Sequence, residues 1–132
     1  MAWLGKLLDR SPFGSATFDR RPVGGAPSQE RQMAEALAAW NDGNYGVALD
    51  LWAPLAQAGL ARAQSNMGAA FLEGRGVERD PAKAVTWLQL AAEQGDAGGQ
   101  RNLALCHYEG WGVPQDQAEA ARWYEKAAQQ DD

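Results

Sequence analysis

A block of sequence that lands on itself when moved by one fixed distance constrains this chain more than any other feature. Residues 61–95 read ARAQSNMGAAFLEGRGVERDPAKAVTWLQLAAEQG, and a shift of 36 positions lays them over the residues that follow. Gly74 meets Gly110, Gly76 meets Gly112, Val77 meets Val113, Asp80 meets Asp116 and Trp87 meets Trp123. Ala82, Ala84 and the Ala91-Ala92 pair meet Ala118, Ala120 and Ala127-Ala128, with no gap anywhere. A fixed period between about 20 and 50 residues marks a repeat array, whose units bury their apolar faces against one another. The architecture therefore follows from the repeat rather than from the elements taken singly.

Taken in order, residues 1–28 hold Pro12, Pro22 and Pro27 together with Gly14, Gly24 and Gly25. Such a segment buries too little surface to offset its ordering entropy, and a disordered tail is expected. Within it Trp3, Leu4, Leu7 and Leu8 share one face of a helical wheel, which offers a short docking helix as the sharper alternative to a frayed start. From Ser28 the pattern turns helical. Ser28 can cap a first helix from Gln29 to Trp40, which the turn formers Asn41-Asp42-Gly43-Asn44 stop. A second runs from Tyr45 to Gln57 and ends at Gly59, with Pro54 expected to kink its last turn. The third, Ala61 to Glu73, carries Ala63, Met67, Ala70 and Phe71 on its apolar stripe, and Gly68 lets a neighbour approach closely. Asp80-Pro81 starts the fourth, which runs from Pro81 to Gln94 with Ala84, Trp87, Leu88 and Ala91 inward and is closed by Gly95. The second copy repeats this plan, and Asp116 with Glu119 has the spacing of a capping box.

Composition excludes several functions. The 132 residues carry 17 acidic and 12 basic side chains, a net charge of −5. Residues 1–28 hold Lys6, Arg10, Arg20 and Arg21 against Asp9 and Asp19, or +2, which leaves −7 on the remainder. A surface that binds nucleic acid needs the opposite sign, so no nucleic-acid partner is expected. One cysteine, Cys106, cannot form an internal disulfide, which favours a reducing compartment or indifference to redox and excludes a disulfide-stapled secreted scaffold. Lys6, Asp9 and Arg10 interrupt the apolar start before a signal-length core develops, and no run is long enough to span a bilayer. A cytoplasmic protein is expected.

The repeated positions resemble the Sel-one-like repeat, a member of the tetratricopeptide-like superfamily. The residues that carry the resemblance are Ala61, Ala63, Met67-Gly68, Phe71, Gly74, Gly76-Val77, Asp80, Lys83-Ala84, Trp87, Ala91-Ala92 and Gly95 in one copy. In the next they are Leu103-Ala104, Gly110, Gly112-Val113, Asp116, Ala118, Ala120, Trp123 and Ala127-Ala128. Residues 29–59 resemble the plain tetratricopeptide form with its shorter loop. The resemblance implies an all-α fold, a right-handed α/α superhelix of three helix–turn–helix repeats at 29–60, 61–96 and 97–132, with residues 1–28 outside it. It also implies a non-catalytic adaptor, of bacterial type, that binds a protein or peptide partner. Two positions depart from the pattern. His107 stands where the first copy has Phe71, and Gly99 where it has Ala63; both suggest a looser last repeat.

Catalysis finds little support in the residues. Cys106 and His107 are neighbours on a predicted helix, about 100° apart, and cannot form a nucleophile–base pair. There is no second histidine for a triad or a metal site, so neither an enzyme nor a cofactor is expected. Some secreted members of the family are β-lactam-binding or hydrolysing, but they are disulfide-rich. Met67, Phe71, Trp87, Leu103 and Trp123 are the expected repeat core. Trp111 stands between two loop glycines where the first copy has Arg75; it either packs back over its own helix pair or serves as an exposed anchor.

In tetratricopeptide-like arrays the first helix of each pair lines the concave groove. Carried over, this places Trp40, Leu72 and Tyr108 at equivalent sites, an apolar ladder with Arg62 and Arg101 beside it. Such a groove suits a peptide with bulky apolar side chains and a carboxylate, which arginine grips with two parallel bonds. The alternative is that the ladder packs between repeats. A homo-oligomer through the C-terminal end, where a capping helix is not evident, is a further possibility.

Overall fold

A computed structural model describes residues 28–130, and the expectations for the N-terminal tail lie outside them. The described residues form six helices: α1 Gln29–Asn41, α2 Tyr45–Gln57, α3 Ala61–Glu73, α4 Pro81–Glu93, α5 Ala97–Glu109 and α6 Gln117–Gln130. Four of the six open on a side-chain cap, and α2 and α3 start without one. Ser28 accepts a hydrogen bond from the Arg31 amide at 3.1 Å, and Asp80 does the same for Lys83 at 3.2 Å. Asp96 caps α5 through Gly99 N–H at 2.8 Å. The second half of the capping box expected at Asp116 is missing. Asp116 accepts from the Glu119 amide, but the Glu119 carboxylate turns to Arg122 at 2.9 Å instead of reaching back. The Asp116 amide is already donated to the His107 carbonyl at 2.8 Å, so it has nothing to offer Glu119.

Helices pair in chain order, and each inner helix is held on two sides. α3 packs against α2 and α4, α5 packs against α4 and α6, and α3 also touches α5 directly. The core along this seam is thin and alanine-rich, with Leu49, Met67, Leu88, Leu103 and Cys106 its largest fully buried side chains. Phe71 and Trp87 are buried with Met67 and Leu103, whereas Trp123 is only partly buried against the cluster. A side chain at Gly68 would run into Leu88, its Cβ falling 2.5 Å from Leu88 Cγ, so the glycine sets how closely α3 and α4 approach.

The same close approach explains Gly99 and corrects the reading of it as a weak point. A Cβ at Gly99 would lie 2.8 Å from Ala91 Cβ and 3.2 Å from the Ala92 nitrogen. The α4–α5 seam thus has no room for the alanine that helix propensity favours by about 1 kcal/mol. Overpacking a tight seam costs about 1–3 kcal/mol. Gly99→Ala is accordingly expected to lower the melting temperature rather than raise it, as thermal unfolding followed by circular dichroism would show.

Two polar clasps repeat with the 36-residue period. Buried Gln64 donates Nε2 to the Ala56 carbonyl at 3.2 Å, and its Oε1 accepts from Gln94 Nε2 at 2.8 Å. Gln100 donates to Ala92 at 3.3 Å and accepts from Gln130 at 2.9 Å, the same geometry one repeat later. Each clasp ties a first helix to the end of the preceding second helix and to its own partner helix. The second device holds the long loops. Arg79 Nε donates to the Leu72 carbonyl at 2.8 Å and Gln115 Nε2 to the Tyr108 carbonyl at 2.8 Å, satisfying acceptors that the ends of α3 and α5 would otherwise leave open.

Candidate functional site

The first helices do not pack evenly. α3 and α5 are in contact, but α1 and α3 part to leave two adjoining cavities between them. One, of about 200 Å³, is lined by Met33, Ala34 and Leu37 of α1 and by Arg62 and Asn66 of α3. The other, of about 140 Å³, is lined by Leu37, Trp40, Trp52, Asn66, Ala69 and Glu73. Leu37 and Asn66 belong to both, so the two form one cleft running along α1. The register explains the space. Leu37 is the ninth residue of its helix and Ala69 the ninth of its own, so a small side chain faces the cleft from α3.

The cleft is lined mainly by apolar side chains, with polar Asn66 where the two cavities meet and a charged residue at each end. Leu37 is 52% exposed, a large hydrophobic side chain in the mouth of the cleft. Trp40 is held against Tyr45, with ring centroids 4.6 Å apart, and against Trp52 at 5.3 Å. Trp52 is buried, and its Nε1–H lacks a hydrogen-bond partner, a state it shares with Trp87 and Trp123. At one end Arg62 pairs with Asp96 at 3.5 Å; at the other Glu73 pairs with Arg75 at 3.1 Å. Asp96 is the N-cap of α5, so the cleft's arginine is positioned by the next repeat.

Of the residues expected in a groove, Trp40 and Arg62 line this cleft. Leu72, Arg101 and Tyr108 are not among its lining residues. Leu72 is 9% exposed and belongs to the core cluster. Tyr108 is 47% exposed on α5, and Arg101 is exposed on the same helix. The three ladder positions differ because α3 has a first-helix neighbour packed onto it and α1 stands off. Leu37, Asn66 and Ala69 went unnoticed in the sequence. The signal for them was the comparison of α1 with α3 position by position, which sets Leu37 against Ala69.

Trp111 is half-buried and packs against the core cluster, with the Arg79 guanidinium 5.3 Å above its ring. It stitches its loop to the preceding one, as Arg75 does one repeat earlier through its 2.8 Å bond to the Tyr45 hydroxyl. His107 is partly buried, and its Nδ1 has no hydrogen-bond partner.

Cys106 is fully buried, and burial pushes its thiol from an ordinary 9.0 up to about 11, against a smaller opposing pull from Arg79. A thiol so held is a poor nucleophile. Its sign under linkage is fixed: the folded state resists ionisation, so stability is unaffected below pH 9 and falls as pH climbs towards 11. Alkylation of Cys106 at neutral pH is expected to proceed only through unfolding, with a rate that rises with urea in step with the loss of helicity. Among the described residues no group of three or more His, Cys, Asp or Glu side chains could hold a metal ion, and no helix is long and apolar enough to cross a membrane.

Six helices paired in chain order, with their loops and clasps repeating every 36 residues, are the architecture of a helical-repeat solenoid. The Sel1 repeat family matches residues 61–96 and 97–132, and the chain belongs to that family. A solved structure of a protective antigen present in uropathogenic Escherichia coli strains, displaying an SLR fold, is 36% identical with a TM-score of 0.73; the match covers 79% of this chain and 23% of that one. A Sel1 repeat protein from Oxalobacter formigenes is 31% identical with a TM-score of 0.71, over 76% of this chain and 41% of the other. The chain spans less than half the length of either relative. No curated protein matches the sequence.

Proposed function

We propose that this chain is a non-catalytic adaptor that binds an apolar stretch of a partner protein or peptide in the cleft between α1 and α3. The observation that carries the reading is the cleft itself, apolar through Met33, Leu37 and Trp40 and flanked by Arg62 and Glu73. A segment with two bulky apolar side chains one helical turn apart fills it, and a carboxylate near its end meets Arg62. Arg101 and Tyr108, exposed on α5, extend the surface for a longer ligand. The reading as a cytoplasmic bacterial protein rests on the single buried thiol and on the two bacterial proteins it resembles.

The test is selection of peptides from a displayed random library on the immobilised full chain, repeated with Leu37→Asp. Leu37 is more than half exposed, so the variant is expected to keep its helicity while losing binding by about tenfold or more. Peptides that bind both forms equally would remove the cleft from the function. Self-association is the second reading, favoured by the 41% exposed Tyr124 beside half-buried Trp123 on α6. Light scattering over a range of concentrations decides it.

A further inference from the structure

We infer that the first occupant of the α1–α3 cleft is the chain's own N-terminal segment, with Trp3-Leu4 and Leu7-Leu8 as its two anchors; this rests on reading the cleft as a docking surface.

Three observations converge on that occupant. The first is spacing. The cleft is two adjoining cavities set one helical turn apart along α1, from Met33 and Ala34 through Leu37 to Trp40. The segment carries two apolar pairs, residues 3–4 and 7–8, and a separation of four residues is one turn of a helix. Wound as a helix, it puts all four side chains on one face, with Lys6 and Arg10 beside that face.

The second is reach. Residues 9–27 join the segment to Ser28, the cap of α1, and α1 is itself one wall of the cleft. That tether spans up to about 60 Å when extended, while α1 is only about 20 Å long. The segment can therefore enter from either end, and a tether of this size holds it near the cleft at an effective concentration on the order of millimolar.

The third is charge. Residues 1–10 carry +1, from Lys6 and Arg10 against Asp9, and residues 29–132 carry −7, so the segment is attracted to the array. Glu73, which lines one end of the cleft, is already paired with Arg75 at 3.1 Å, so the pull on Lys6 and Arg10 comes from the array's net charge rather than from that one carboxylate. Occupancy by the segment makes the cleft available only to a partner that displaces it, which turns the adaptor into a competitor with itself.

The experiment uses the full chain and exploits the buried thiol. Ala2→Cys introduces a second cysteine, and because Cys106 is buried with a raised pKa, a nitroxide reagent at neutral pH modifies residue 2 selectively. The expected result is strong broadening of the Leu37, Asn66 and Ala69 amide signals, with Thr86 and Leu90 on α4 unaffected. Adding Leu4→Asp and Leu7→Asp is expected to abolish the broadening at unchanged helicity. The same two changes without the label should tighten capture of a library-selected peptide by about tenfold. Weak uniform broadening, or broadening that survives the two aspartates, overturns the proposal. So does broadening of these signals in isotope-enriched unlabelled chains when labelled chains are mixed in, since a second copy would then supply the segment. Failure here with loss of peptide binding in Leu37→Asp leaves the docking cleft standing; no peptide binding in the doubly aspartate-substituted chain removes the cleft reading instead.

Discussion

Trp87→Ala is expected to leave most of the chain unfolded at room temperature, while Trp123→Ala remains folded and only weakened. The two residues are repeat equivalents, so the contrast tests position in the array rather than chemistry. Trp87 is 3% exposed on α4, a helix packed by α3 on one side and α5 on the other. Removing a buried indole costs about 3–5 kcal/mol in transfer and cavity terms. That is comparable to the whole stability of a small domain, about 5–15 kcal/mol. Trp123 lies on α6, whose buried residues among those described are Ala120 and Ala127, and Lys126 covers its ring from 4.8 Å. Its truncation leaves a smaller void that solvent can enter. The Trp87 indole N–H has no partner, so Trp87→Phe loses volume but no hydrogen bond and is expected to cost far less than alanine. Urea unfolding by circular dichroism checks all three. Equal losses at Trp87 and Trp123 would contradict an array whose inner pair carries the core.

The sequence and the structure agree where structure is decided locally. Asp80-Pro81 starts α4, and α3 runs from Ala61 to Glu73 as its apolar stripe implies, with Gly74 taking the left-handed conformation just beyond it. The helix limits read from turn formers differ from those observed by one residue, at Asn41 and Glu93. What could not be read locally was the distance between helices. Gly99 looks like a propensity defect in its own helix and becomes a fitted contact only once Ala91 is opposite it. Leu72 and Trp40 hold the same helical position, yet one is core and the other lines a cleft, because their first-helix neighbours stand at different distances. The glutamine clasps were visible as Gln64 and Gln100, Gln94 and Gln130, each pair 36 apart. They went unread because a polar residue on a helix is ordinarily a solvated one, and only the neighbouring helix end supplies the buried carbonyl that Gln64 and Gln100 satisfy.

The largest effect expected from a single methyl group falls at Gly112. Its φ is +75°, where a non-glycine residue costs about 1–2 kcal/mol. A Cβ there would also lie 2.5 Å from the Pro81 carbonyl oxygen and 3.0 Å from the Ala82 nitrogen. Those are backbone atoms in the first turn of α4, fixed by the Asp80 cap, and cannot swing aside as a side chain can. Overpacking of this kind adds about 1–3 kcal/mol. Gly112→Ala is therefore expected to lower stability by about 2–5 kcal/mol, a fall in melting temperature on the order of 10–20 °C. Gly95 supplies the control, since its φ is +95° but nothing lies within 4 Å of a Cβ, so Gly95→Ala carries the conformational cost alone. Gly76 falls between them. Its Cβ would meet Leu49 Cδ1 at 2.7 Å, the far end of a side chain that can rotate, and Tyr45 Cβ at 3.0 Å. The expected order of destabilisation is Gly112→Ala, then Gly76→Ala, then Gly95→Ala. It follows from the loops being docked onto the preceding repeat, with backbone atoms as the nearest obstacle at Gly112 and the rotatable Leu49 side chain as the nearest at Gly76, where the Tyr45 backbone stands further off at 3.2 Å. Equal shifts at Gly112 and Gly95 would mean that the loop carrying Trp111 is not seated on α4, and that Trp111 and Arg79 do not join the repeats.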